Sequence, residues 1–379
     1  MDLQYIYLDY NATTPLDSRV QDVMIPYFKD FYANPNSSHL FGLSVQETIE
    51  EATENLATVL GGGPNNILYT SGATEAVNLA IKGLIPSERK HIVTLATEHN
   101  AVLATCSFLE NFGYQVTYLP VDPAGMTDLE LLTDVITEQT LLVCVMLANN
   151  ETGVIQPIKQ ISKIAHENGA LMLCDATQAI GKLPVDVLEL EVDFLLFSAH
   201  KFYGPKGIGG LYVSNGTRKR LTPQIHGGGQ QRGLRSGTLN VPGIIGMGKA
   251  AEIAVAEMSS DCDRIGQLRN RLEEALLTIP GTRVNGHAQH RLCNTSNICF
   301  RGVPAEQLIM ALGTISVASG SACSATVTKP SHVLKAMGLS DEDGMSSIRF
   351  SLGRFTTEEE ISRTIEAVRL SVSKLRMSN

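Results

Sequence analysis

The chain has 379 residues, 43% of them hydrophobic and 18% charged, which is enough apolar material for a buried core and enough length for two domains. A formal net charge of −9 argues against nucleic acid as the main ligand, because neutralising phosphates needs clustered Lys and Arg. No apolar run reaches membrane-spanning length, and the opening "MDLQYIYLDYNATTP" matches neither a signal peptide nor an Arg-rich transit sequence.

Apolar segments of strand length alternate with amphipathic helical patterns, the signature of an α/β protein with a mostly parallel sheet. The first helix is predicted from Ser44, where Ser44-Val45-Gln46-Glu47 has capping-box spacing. Val45, Ile49, Ala52, Leu56 and Val59 form its apolar face, and Gly61-Gly62-Gly63 ends it. Strands are predicted over 66–70, 91–96, 141–147, 171–176, 193–199 and 209–214, and their near-continuous apolar character suits burial on both faces. From about residue 258 the texture changes. A helix over 264–277, strand-like "SNICF", a cysteine loop and a last helix opening near Thr357–Glu360 follow. The expected division is a large α/β domain over 16–257 and a smaller α+β domain built from 1–15 and 258–379.

Seven cysteines, an odd number without CxxC pairs, make neither a disulfide framework nor a zinc site. They point to a reduced, cytoplasmic protein that needs no metal. Cys144 and Cys174 sit in apolar runs and read as core, Cys106 and Cys299 as packed on an element, and Cys262 and Cys293 as exposed residues without chemistry. Cys323 differs. In "SGSACSAT" small neighbours cannot bury the thiol, so it is either incidental or delivered by the loop as a carrier.

Three strand ends carry chemistry. In "NILYTSGATEAVNLAIKGL" the turn Ser71-Gly72-Ala73-Thr74 feeds a helix N-terminus, which is either an anion site or an ordinary N-cap. "ALMLCDATQ" presents Asp175 and Gln178 where ligands bind in open α/β sheets, although a helix cap would also use Asp175. "DFLLFSAHKFYGPKG" ends in Ser198, His200 and Lys201, and a desolvated lysine there forms Schiff bases where a surface lysine would not. No Walker or GxGxxG spacing supports a nucleotide. Together, a phosphate cradle, an acid and a lysine are the groups that pyridoxal 5′-phosphate requires.

Here the sequence resembles the cysteine desulfurases of NifS/IscS type, within the class V aminotransferase group of fold-type-I pyridoxal-phosphate-dependent transferases. The likeness runs from "YLDYNATTPLDSRV" to "IRFSLGRFTTEEEI" through "SGATEAVNLAIKG", "TEHNAVL", "NNETGVIQPI", "DATQAIGK", "SAHKFYGPKGIGGLYV", "RSGTLNV" and "SGSACSA". It implies Lys201 as the Schiff-base lysine, Asp175 on the pyridinium nitrogen, Gln178 on the phenolic oxygen, and His99 stacked on the ring and moving protons. It implies phosphate contacts from Ala73, Thr74, Ser198 and His200, with Thr238 added by the neighbouring subunit of a homodimer. Asn150 and Arg354 would bind the substrate carboxylate. Cys323 would take sulfur from L-cysteine as a persulfide, releasing alanine, and pass it to acceptor proteins such as an iron–sulfur scaffold or a thiolation enzyme. A selenocysteine lyase or another class V enzyme would share the cofactor residues and depend less on Cys323. A non-catalytic scaffold would need none of them.

Overall fold

The computed structural model describes residues 5–320 and 330–378, so Cys323 lies outside the described residues. Strand β1 (Ile6–Tyr7) precedes the central seven: β2 (Ile67–Thr70), β3 (His91–Leu95), β4 (Gln115–Leu119), β5 (Thr140–Met146), β6 (Leu171–Asp175), β7 (Phe194–Ser198) and β8 (Gly209–Val213). They pair in the order β2-β8-β7-β6-β5-β3-β4, with β8 antiparallel to both neighbours and every other pairing parallel. Two antiparallel steps through β8 leave β2 running in the same direction as β7. The carboxyl ends of β2, β3, β5, β6 and β7 therefore all open on one edge of the sheet.

Alternating residues of these strands enter two different cores. Val93, Val143, Met172, Leu195 and Phe197 pack on one face. Ile92, Leu142, Leu173, Phe194 and Leu196 pack on the other. Burial of both faces explains why the predicted strands read as unbroken apolar runs. Strand β4 had no such signal. It is an edge strand whose first four residues are exposed or half-buried.

Beyond the central sheet come β9 (Thr282–Asn285), β10 (Thr295–Phe300), β11 (Ile315–Ser316) and β12 (Ser347–Ser351). β12-β10-β9 form an antiparallel sheet, and β11 pairs in parallel with β1. A third core joins Ile6 and Leu8 to Ile265, Leu272, Ile298, Phe350 and Val368, so the first strand packs with the C-terminal third. One helix, Val241–Leu277, runs through from one core to another, with Ile244 and Ala251 in the first and Leu268 and Leu276 in the third. The expected boundary at 257/258 falls inside this continuous helix.

Helix starts follow local capping. The helix Leu40–Leu60 begins four residues before the predicted Ser44, because His39 is the cap: its Nδ1 accepts from Gly42 N at 3.1 Å. Ser44 instead donates to Phe41 O. Gly61, at φ +64°, closes the helix in the left-handed conformation that a side chain disfavours. The last helix, Glu358–Ser378, does open on a capping box, with Thr357 Oγ1 accepting from Glu360 N and Glu360 Oε2 accepting from Thr357 N. No helix among the described residues is long and apolar enough to cross a membrane.

Candidate active site

The shared strand edge holds a cavity of about 500 Å³. After β2, Gly72 (φ +153°) turns the chain into the helix Ala73–Lys82, which no side chain caps. Gly72, Ala73 and Thr74 line the cavity, so the positive end of the helix dipole points at it. The turn is pressed against the start of β8. A Cβ on Gly209 would stand 2.7 Å from Gly72 Cα and 2.5 Å from Phe197 O. Glu75 steadies the turn, accepting from Ser71 N at 2.7 Å while Arg235 Nε donates to its other oxygen at 2.7 Å.

After β3, His99 caps the helix Asn100–Glu110, and its Nδ1 accepts from Ala101 N at 3.1 Å. That bond places the ring proton on Nε2, and burial lowers the histidine pKa, keeping the ring neutral. Beneath it Glu98 is fully buried. Burial pushes its carboxyl well up, and Oε2 has no partner, as suits a protonated acid. Asp175 ends β6, 7% exposed, with Oδ1 accepting from Thr177 N at 2.9 Å. Gln178 donates from Nε2 to Asn11 O at 2.9 Å and accepts from Lys182 Nζ at 3.1 Å.

After β7, Lys201 reaches across to the N-terminal segment. Its Nζ donates to the carbonyls of Asn11 at 2.6 Å and Ala12 at 2.8 Å. Burial, reinforced by the charges of Lys182 and Arg349, brings its pKa down to about 7, so a large share of the amine is neutral and nucleophilic near neutral pH. His200 bonds Thr13 Oγ1 at 3.0 Å, and burial lowers its pKa to about 4. Ser198 and His200 line the cavity with Lys201, as does Asn150.

Arg354 does not join them. It is held elsewhere by Asp17 at 2.9 Å, Asp261 at 2.8 Å and the face of Tyr203, which leaves its guanidinium committed to a structural network. The guanidinium that lines the cavity belongs to Arg349, five residues earlier on β12. Arg349 is 2% exposed, donates to Asn150 O at 2.8 Å and to Asp9 Oδ1 at 2.5 Å, and keeps Nε without a partner. The structure therefore does not bring Arg354, expected on the substrate carboxylate, to the cavity, and Arg349 stands there instead. The sequence held a signal for it, since an arginine inside the strand-like "SSIRFSL" must find an anion if that strand is buried. Asn11 was also missed; its side chain ties Asn150 O, Thr295 and Asn294 together while its carbonyl receives Lys201. Thr238 is exposed and stands outside its own chain's cavity.

The sequence profile of the class-V aminotransferase family matches residues 6–364. The chain belongs to that family. It is 50% identical over 376 residues to the cysteine desulfurase IscS of Methylobacillus flagellatus, spanning 98% of this chain and 93% of that one. Among solved structures, a NifS-like protein matches with a TM-score of 0.92 at 39% identity, covering 98% of this chain and all (100%) of that one. SspA in complex with cysteine matches with a TM-score of 0.82 at 36% identity, covering 93% and 100%. The protein is thus a pyridoxal-phosphate-dependent enzyme, and the cavity fits that cofactor on its own terms. Thr177 and Arg349 line it, each with a buried polar atom that has no partner, and the uncapped helix end suits a phosphate. Ala73, Thr74, Ser198 and His200 would hold the phosphate, Asp175 the ring nitrogen, Gln178 the phenolic oxygen and Lys201 the aldehyde carbon.

Proposed function

We propose that this enzyme is a cysteine desulfurase that converts L-cysteine to L-alanine and leaves the sulfur on Cys323 as a persulfide. One observation carries the reading: a partly buried lysine with a pKa of about 7 shares its cavity with His99, Asp175 and Arg349, in a chain half identical to a protein named cysteine desulfurase over nearly its whole length.

Pyridoxal phosphate, when bound, supplies an electron sink for negative charge at the substrate Cα. The protein's own groups do the rest. Asp175, at the end of β6 on the cavity wall, would pair with the ring nitrogen. Arg349, whose side chain lines the cavity, binds the substrate carboxylate, and Asn150 beside it completes that contact. Lys201 has a pKa matched to neutral pH, so its free amine would serve as general base at Cα. His99 holds its proton on Nε2 for transfer to or from the substrate thiol. The Cys323 thiolate attacks the substrate sulfur, forming an S–S bond as the carbon–sulfur bond breaks, and protonation of the remaining carbon skeleton gives alanine. An unperturbed thiol of pKa ~8.5 is only a few per cent ionised at neutral pH, so a proton acceptor beside the loop is part of the step.

The enzyme works as a homodimer in the cytoplasm. Supporting this, Thr238 lies exposed outside its own cavity, where a second copy could deliver it, and the six described cysteines are all unpaired. The large domain, 16–257, carries the cofactor, and the small one, 1–15 with 258–379, carries Cys323 and passes its sulfur to iron–sulfur scaffold or thiolation proteins. The test is an assay of alanine and sulfide from L-cysteine with dithiothreitol. The cofactor-loaded enzyme should make both, and Cys323→Ala should make neither while keeping its cofactor absorbance. Undiminished turnover by Cys323→Ala would point instead to a lyase of the selenocysteine type.

A further inference from the structure

Behind Lys201 lies a feature that the desulfurase chemistry leaves unused. Cys262, on the long helix Val241–Leu277, and Cys293, just before β10, face each other, although both read from sequence as isolated exposed thiols. Their sulfurs stand 2.9 Å apart, with the Cys293 thiol donating, while the Cys262 thiol contacts Lys182 O at 3.2 Å. Both are partly exposed, whereas the other four described cysteines are buried. With Lys182 and Lys201 they line a second cavity of about 20 Å³, room for a water-sized molecule.

We propose that Cys262 and Cys293 are a redox-sensitive modification site that closes to a reversible intrachain disulfide. The two thiols are unequal, as such a pair requires. The hydrogen bond from Cys293 draws the Cys262 thiol below its ordinary pKa, with the Lys182 charge adding to the effect against burial and Asp261. The same bond, with burial, holds the Cys293 thiol up. Cys262 is therefore the nucleophile and Cys293 the resolving thiol. A disulfide bond is about 2.05 Å long, so the sulfurs must close by about 0.9 Å.

The small cavity favours a small two-electron oxidant, and peroxide is the class we assign. The Cys262 thiolate attacks one peroxide oxygen, and the O–O bond breaks with its electron pair leaving as hydroxide, giving a sulfenic acid. The Cys293 sulfur then attacks the Cys262 sulfur, the S–O bond breaks, and the departing hydroxide leaves with the Cys293 proton as water. Two sulfurs have lost two electrons, peroxide oxygen has gained two, and a dithiol reverses the bond. The bridge would sit two contacts from the cofactor pocket, because Lys182 Nζ donates to both Gln178 O and Gln178 Oε1.

The test reads sulfur connectivity in the cofactor-loaded Cys323→Ala protein, so its result is independent of whether the chain is a desulfurase. The protein is treated with a few equivalents of hydrogen peroxide, its free thiols are alkylated, and trypsin is added. The expected product is peptide 250–264 joined to peptide 292–301 with two hydrogens lost. Fragmentation should place the bond on Cys293 rather than Cys299, and dithiothreitol should remove it. Cys262→Ser and Cys293→Ser should each abolish the linked peptide. Alkylation of both cysteines after peroxide treatment would overturn the proposal. So would Cys262 sulfinate beside an alkylated Cys293, or a link found only between two chains.

Discussion

As the proposed Schiff-base lysine, Lys201 would govern both cofactor uptake and catalysis through a single physical fact, the cost of desolvating an ammonium. Its pKa of about 7 replaces the ordinary 10.5. Below pH 7 the amine is protonated and cannot attack an aldehyde; above it the amine is neutral. Cofactor loading onto stripped protein should therefore quicken about tenfold per pH unit up to pH 7 and then level off, as stopped-flow absorbance would record, whereas an ordinary lysine would keep accelerating toward pH 10. The same shift has a stability consequence. Between about 7 and 10.5 the unfolded chain binds this proton and the folded chain does not, so this group's contribution to the stability of the stripped protein rises with pH across that window. Arginine choice gives a second test at this scale. Arg349→Ala should raise KM for cysteine by about 10- to 100-fold, the loss of charge-assisted bonds worth about 1.5–3 kcal/mol. Arg354→Ala should leave KM alone and lower unfolding stability by about 1.5–3 kcal/mol, since Asp17, still held by Arg19, and Asp261 each lose a charge-assisted bond. Lys201, Asp175 and His99 were legible because each ends or follows a strand in a specific motif. Arg349 and Arg354 stand five residues apart in one motif, and only the register of β12 separates the one in the cavity from the one in a salt-bridge network.

The elements place these groups through backbone proximity as much as through side chains. Gly72 and Gly209 let the phosphate-facing turn lie against the start of β8, and a methyl group at Gly209 has no room. Gly209→Ala should cost about 1–3 kcal/mol of stability and loosen the cofactor, seen as a raised dissociation constant in equilibrium dialysis, with the Lys201 chemistry intact in whatever fraction stays loaded. The buried strands were legible as apolar runs because both faces of the sheet are covered. β4 was not, because its first four residues are exposed or half-buried, unlike those of β2 at the opposite edge. The helix Leu40–Leu60 was recognisable from its apolar face, but its start was misplaced because a histidine, an uncommon cap, does the work expected of Ser44. The contact between Cys262 and Cys293 was invisible for a different reason: 31 residues separate them, and only the third core brings the helix and β10 together.

For the whole molecule, the cavity sits where five strand ends meet one buried arginine from β12, so N-terminal, central and C-terminal segments must all be in place before substrate can bind. If a second chain adds Thr238, two defective chains should complement each other. Lys201→Ala and Thr238→Glu proteins, each impaired alone, should regain about a quarter of wild-type activity after denaturation, mixing and refolding, because half the dimers are mixed and each of those holds one intact site. No recovery would show that each chain completes its own site. The broad α/β class and the cofactor could be read from motif order along the chain, and residues 1–15 were expected to join the C-terminal third, with which Ile6 and Leu8 share a core. The single helix Val241–Leu277 that runs across the expected 257/258 boundary was not legible, since the change of texture there marks which core the helix packs on and not where it breaks. The central claim, that sulfur moves from cysteine to this chain, is tested most directly by intact-protein mass after a single turnover with L-cysteine and no reductant. The account predicts a gain of one sulfur atom per chain, located on Cys323, removed by dithiothreitol and absent in Cys323→Ala. Alanine released with no sulfur gained, or the gain retained in Cys323→Ala, would contradict it.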